Sequence, residues 1–219
     1  MAPTDRYVPR FAAEPPQEGA PYGRWAHRLS DAFYRACDEV DGDGEDLGEP
    51  GEITFYPDRT YAGRTYVPAT APTSTGLELF GHVSFEPAAE GGEPSDIAAV
   101  ADFTAETAER NPDWSLDLSD DVIGTWRGEE GRVAQVTLVY GRPLRGAGAI
   151  VTAELADLAV DQCALVENRF TLIAPDDYRS DTLEVKLFDT RGREVARESL
   201  YEEEEEEEED EQDAGDAGA

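Results

Sequence analysis

The sequence predicts a mainly β protein, an antiparallel barrel or sandwich of about eight to ten strands. One amphipathic helix precedes the strands, and a disordered acidic tail follows them. Three observations carry this expectation. Apolar residues recur with period two through most of residues 53–200. Turn-forming Gly, Pro, Asn and Asp interrupt those runs about every ten residues. No strand–helix–strand rhythm is visible, so nothing calls for a parallel sheet.

Residues 1–21 hold five prolines and no periodicity, which predicts a flexible arm. Across residues 22–40, Trp25, Leu29, Phe33, Ala36 and Val40 fall three or four apart, with Arg24, Arg28, Asp31 and Arg35 between them. That pattern predicts one amphipathic helix of about four turns. The stretch DGDGEDLGEPGE follows, and its glycines at 42, 44, 48 and 51 forbid regular structure. Ile53 and Phe55 then open a strand, Pro57 suits a tight turn, and residues 61–67 form the next strand. The small residues of PATAPTST read as a loop. In LELFGHVSFE, Leu77, Leu79, Val83 and Phe85 alternate with Glu78, Phe80, His82, Ser84 and Glu86, so the two sets take opposite faces of a strand.

A strand over 97–103 and a short helix over TAETAERNP are expected next, with Thr104 as cap and Pro112 beyond the end. VIGTWRGEEGRVAQVTLVYG reads as two strands around residues 129–131. AIVTAELADLAV and ALVENRFTLIAP supply further strands. LEVKLFDTRGREVARESLY is a hairpin whose Gly192 is suited to positive φ. The chain thus divides into an arm (1–21), one β-rich domain opened by the helix (22–201) and a tail (202–219). The tail cannot fold alone, because its eight consecutive glutamates repel one another and bury nothing.

Charge narrows the partners. There are 50 acidic and 18 basic residues, a net of −32. Removing the twelve acids of residues 202–219 leaves −20 for residues 1–201. Such a field repels nucleic acids and anionic membranes and favours cations and basic proteins. Lys186 is the one lysine among 18 basic residues, which fits either a salt-adapted surface or a GC-rich genome. Cys37 and Cys163 have no metal-ligand spacing and read as reduced, buried thiols. No apolar leader and no long apolar run is present, so a cytoplasmic location is expected, with no cofactor.

Motifs for chemistry are sparse. Acids fill more than a fifth of all positions, so pairs of carboxylates carry no information. EVDGDGEDLGEP resembles the first half of an EF-hand calcium loop, with Asp41, Asp43 and Glu45 as candidate metal ligands around Gly44. Pro50 stands where the closing ligand belongs. There is no G-x-S-x-G elbow, and His27 and His82 are the only histidines. Gly124, Thr125 and Trp126 resemble the G-x-W signature of lipocalin-like calycin barrels, which implies a ligand-holding barrel with Trp126 near its ligand.

The remaining candidate lies between residues 54 and 85. Arg64 and Tyr66 share one strand face, and Phe80 and His82 share another. Pairing of the two strands would bring together a guanidinium for an anion, aromatic rings and a proton-moving imidazole. Arg64, Tyr66, Phe80, His82 and Trp126 are therefore the candidate ligand-binding residues. The expected function is a cytoplasmic β-rich binding or interaction protein holding a small polar or anionic ligand. The alternative is a barrel-type enzyme using Arg64, Tyr66 and His82 on a small anionic substrate. A third reading gives the acidic tail a basic protein partner. A closed cavity around the three residues, as against an open face, separates the first two.

Overall fold

The structure is a computed structural model that describes residues 26–88, 93–128, 132–176 and 182–200. Among these, one helix, α1 (Ala26–Asp38), is followed by twelve strands. They are β1 (Thr54–Phe55), β2 (Arg59–Tyr61), β3 (Arg64–Pro72), β4 (Glu78–Glu86), β5 (Ser95–Thr104), β6 (Leu116–Arg127), β7 (Val133–Pro143), β8 (Ile150–Leu155), β9 (Leu158–Ala164), β10 (Phe170–Asp176), β11 (Leu183–Phe188) and β12 (Glu194–Ser199). Every strand pairing is antiparallel.

The strands do not close into a barrel. They form three sheets, ordered β1-β3-β4-β5 with β2 also on β3, β10-β7-β6, and β12-β11-β8-β9. Apolar clusters show how these stack. Leu29, Phe33 and Cys37 of α1 pack on Val67, Ala69, Ala71, Leu79, Val83 and Phe85, the odd-numbered face of β3 and β4. On the other face of that sheet, Tyr66 meets Val136, Leu138, Tyr140 and Ile173 of the β10-β7-β6 sheet. The far side of that middle sheet presents Val139, Phe170, Leu172 and Ala174 to Val151, Ala153, Leu183, Val185 and Leu187 of the third. The result is four layers: a helix and three sheets. Being covered on both sides, β10 is buried along all seven of its residues.

Several sequence expectations need correction. The helix extends over Ala26–Asp38; the expected start at 22 and the stripe residue Trp25 lie outside the described residues. Ala32 and Cys37 are buried where Ala36 was expected, a small rotation of the stripe. PATAPTST is not wholly loop, because β3 continues to Pro72. Its Ala69 and Ala71 are fully buried, and small side chains there leave room for Phe33. TAETAERNP forms turns, with the Arg110 and Asn111 N–H groups both donating to Thr107 O at 3.0 Å. The strand through Tyr61 breaks at a two-residue hairpin, Ala62 (φ 50°) and Gly63 (φ 80°). The same geometry recurs at Ala156 and Asp157 (φ 54° and 63°) and at Glu167 and Asn168 (φ 50° and 62°). Left-handed pairs of this kind match the twist of the strands they join. The hairpin around Gly192 forms as expected, with Asp189 Oδ1 accepting the Arg191 and Arg193 N–H groups at 2.8 and 3.0 Å.

One buried ion pair spans the stack. Arg59 of β2 is 1% exposed. Its Nη2 donates to Asp161 Oδ1 of β9 at 2.9 Å, and Nη1 lies 2.8 Å from Asp161 Oδ2. Nη1 also donates to Thr171 O of β10 at 2.9 Å, and the Ile173 N–H donates to Asp161 Oδ2 at 2.8 Å. One guanidinium thus ties the first sheet to the second and third. Bidentate geometry and further donors are what let a buried pair offset its desolvation.

Two outcomes are expected. Phe33→Ala, which empties a fully buried site between helix and sheet, costs about 3–5 kcal/mol by urea denaturation. Arg59→Ala costs about as much, ~3–5 kcal/mol, because it strands the Asp161 carboxylate, whereas Arg59→Met with Asp161→Leu loses clearly less.

Candidate functional site

The sequence candidates Arg64, Tyr66, Phe80 and His82 do fall on one face, the even-numbered side of β3 and β4. That face lies beneath the middle sheet, and Tyr66 and His82 are buried. Their rings meet edge to face at 5.4 Å. His82 Nδ1 donates to Asp121 Oδ2 of β6 at 3.0 Å, and the Tyr140 hydroxyl of β7 donates to the same oxygen at 3.5 Å. The Tyr140 phenol is held well above its ordinary range, chiefly by burial and then by the Asp121 charge. Gly81, beside His82, has φ 153°, and a Cβ there would sit 2.2 Å from Val100 O, so only glycine lets β4 and β5 approach. The arginine is spent elsewhere. Arg64 Nε donates to Ser84 Oγ at 3.0 Å, Nη1 to Asp96 Oδ2 at 2.6 Å and Nη2 to Asp96 O at 2.6 Å. Phe80 is half-buried on the same face. Trp126 stands apart on β6, packed against the clusters on both sides of the middle sheet.

Asp41, Asp43 and Glu45 are exposed in the turn after α1. Asp41 Oδ1 accepts the Asp43 N–H at 3.1 Å, which turns that carboxylate onto its own backbone. Among the described residues, no group of three His, Cys, Asp or Glu side chains is arranged to hold a metal.

A different place on the surface has the chemistry of a site. A cleft of about 400 Å³ opens between the first and middle sheets. Thr54, Tyr56, Thr70 and Glu78 line it from the first sheet, Asp117 and Arg142 from β6 and β7, Arg169 from the turn before β10, and Glu109 from the loop after β5. Asp117 and Arg142 are cross-strand partners, joined by Nε donating to Oδ2 at 2.9 Å. Among the described residues the Nη groups of Arg142 make no hydrogen bond. The Arg169 guanidinium uses Nη1 on Phe55 O at 3.0 Å and makes no other bond among them. The Glu78 side chain makes neither hydrogen bond nor ion pair among them, although it is only partly exposed. Burial first, and then the Asp117 charge, push its carboxyl up to about 7, against the pull of Arg142. The Tyr56 phenol is raised mainly by burial.

A second cleft of about 350 Å³ lies at the edge between the middle and third sheets, lined by Trp114, Leu116, Leu118, Asp120, Glu198 and Leu200. Asp120 keeps exposed surface, yet desolvation, followed by Asp121 and Asp176, pushes its carboxyl up to about 6.

Alternation in LELFGHVSFE already sets Glu78 on the face of Phe80 and His82. Asp117 and Arg142 come from strands, and Arg169 from a turn, whose spatial neighbours the sequence does not name, and no local signal marks them among so many charges. Comparison with known protein families, with curated proteins and with solved structures gives no match to this chain. Fold and site therefore define a class only: a layered β-sandwich protein with a charged inter-sheet cleft.

Glu78 gives a pH test. Its folded-state pKa lies above the ordinary 4.5, so between pH 4.5 and about 7 the folded protein holds a proton that the unfolded chain releases. This group's contribution to stability therefore falls as pH rises through that window. Glu78→Gln removes the effect. Relative to the parent it should be unchanged near pH 4 and more stable at pH 8, by on the order of 1 kcal/mol, in urea titrations at the two pH values.

Proposed function

We propose that this protein is a β-sandwich binding module that holds a small polar ligand in the cleft around Glu78. The observation that carries this reading is a half-buried carboxyl that pairs with no side chain among the described residues, in a cleft that Arg142 and Arg169 also line with unspent N–H groups. Buried charges in folded proteins are normally paired, because desolvation is costly otherwise. Leaving one unpaired inside a cleft is how sites are held ready for a ligand, at some loss of stability. The volume of about 400 Å³ falls within the range of small-molecule pockets. Two free, buried thiols, Cys37 and Cys163, support the cytoplasmic location.

The enzyme reading through Arg64, Tyr66 and His82 has less behind it. Arg64 is engaged by Ser84 and Asp96, and His82 by Asp121, so each already has the partner its charge or ring requires. These contacts support a part in joining strands and sheets. The acidic tail and its suggested basic partner lie outside the described residues.

A thermal-shift screen of small polar compounds separates the two locations. A stabilising compound should lose its effect on Arg142→Gln and keep it on Arg64→Ala. Loss on Arg64→Ala with retention on Arg142→Gln would move the site to the buried face.

A further inference from the structure

We propose that the ligand of the inter-sheet cleft is a zwitterion, an amino-carboxylate of the size of a free amino acid or dipeptide. This rests on the reading of that cleft as the binding site. The cleft carries both signs of charge on separate strands. Arg142 and Arg169 offer guanidinium N–H groups that no described residue takes, the donor set for a carboxylate. Glu78 offers a carboxyl with no donor among the described residues, and Glu109 lies on the same cleft. Asp117 is engaged by Arg142 Nε and orients that guanidinium rather than competing for a cation.

The alternatives leave a group unsatisfied. A simple anion answers the arginines, but it leaves Glu78 without a donor and must enter a body carrying −20 over residues 1–201. A simple amine answers Glu78 but meets two guanidiniums. A zwitterion has no net charge to be repelled, and it places its ammonium and carboxylate where each lacks a partner. Tyr56, Thr54 and Thr70 add hydroxyls for neutral polar atoms of the ligand.

Proton linkage supplies a readout that a purely structural Glu78 would not give. An ammonium beside Glu78 favours its ionised form, so binding near pH 6.5 releases a proton from a carboxyl that otherwise titrates at about 7. The groups facing it are Asp117 and Arg142 from the middle sheet, with Tyr56, Glu109 and Arg169 on the remaining walls.

The test is calorimetry on the full chain at pH 6.5, in two buffers of different ionisation enthalpy. The probes are glycine, glutamine and alanyl-glutamine as zwitterions, acetate and succinate as anions, methylamine as cation, and galactose as neutral polyol. At least one zwitterion should bind about tenfold or more tightly than every other probe, with proton release. Glu78→Gln should weaken it about tenfold and abolish the release, and Arg142→Gln should weaken it independently. Equal or tighter binding of acetate, succinate, methylamine or galactose overturns the zwitterion while leaving the cleft as a site. Zwitterion binding that Glu78→Gln leaves unchanged, with that variant folded, also overturns it. No binding by any probe at tens of millimolar overturns both readings.

Discussion

The stack of three sheets depends on Arg59. Sheets pack through apolar faces, and such contacts are indifferent to small slides of one face over another. A buried guanidinium is not. It leaves water only if its donors meet acceptors, and here those acceptors come from β9 and β10 of two further sheets. Asp161 is fixed in turn by the Ile173 N–H, so the pair sets register as well as distance. An unpaired charge in any shifted packing would cost several kcal/mol, on the scale of the whole stability of a domain of this size.

The same reasoning sorts other ionisable groups inside the protein. His82, Asp121 and Tyr140 form a closed set that joins β4 to β6 and β7, and each member has a partner. Lys186 is treated likewise on the outer face of the third sheet, held between Glu154 at 2.6 Å and Glu184 at 3.3 Å. Glu78 breaks the pattern. In a chain this acidic, an exposed carboxylate means nothing, because water solvates it at no cost. A carboxyl partly withdrawn from water and given no donor among the described residues is informative, since the Arg142 charge offsets only part of its desolvation. That group lines a cleft shared with Arg142 and Arg169, each of which keeps N–H groups that no described residue takes.

Local patterns carried much of the architecture. Period-two alternation located β4 and the β11–β12 hairpin and put Glu78, Phe80 and His82 on one face. The 3.6-residue stripe located α1. Where sequence reasoning went astray, tertiary packing had overruled local composition. Prolines and alanines in PATAPTST suggest a loop, yet Ala69 and Ala71 are strand residues that pair with β4 and are buried in the same cluster as Phe33. Ala62, Ala156 and Glu167 adopt positive φ in tight hairpins, a conformation for which their residue types give no cue. The G-x-W stretch lies on a strand of an open sheet, not at the mouth of a barrel, since its neighbours on β7 and β10 lead to an edge rather than back to β6.

By itself the sequence determined what depends on neighbours along the chain: strand and helix periods, the faces on which side chains stand, the acidity of body and tail, and the thiols. Only the tertiary structure decided which strands pair, how the sheets stack, and which charges meet. Arg64 and His82 look free in the sequence and are engaged in the fold, whereas Glu78 and Arg142 are two charges among 68 acidic and basic residues until β4, β6 and β7 bring them to one cleft. The physical reason is range. Backbone preference and side-chain alternation act over a few residues, whereas burial and pairing of charge are set by contacts between segments tens of residues apart.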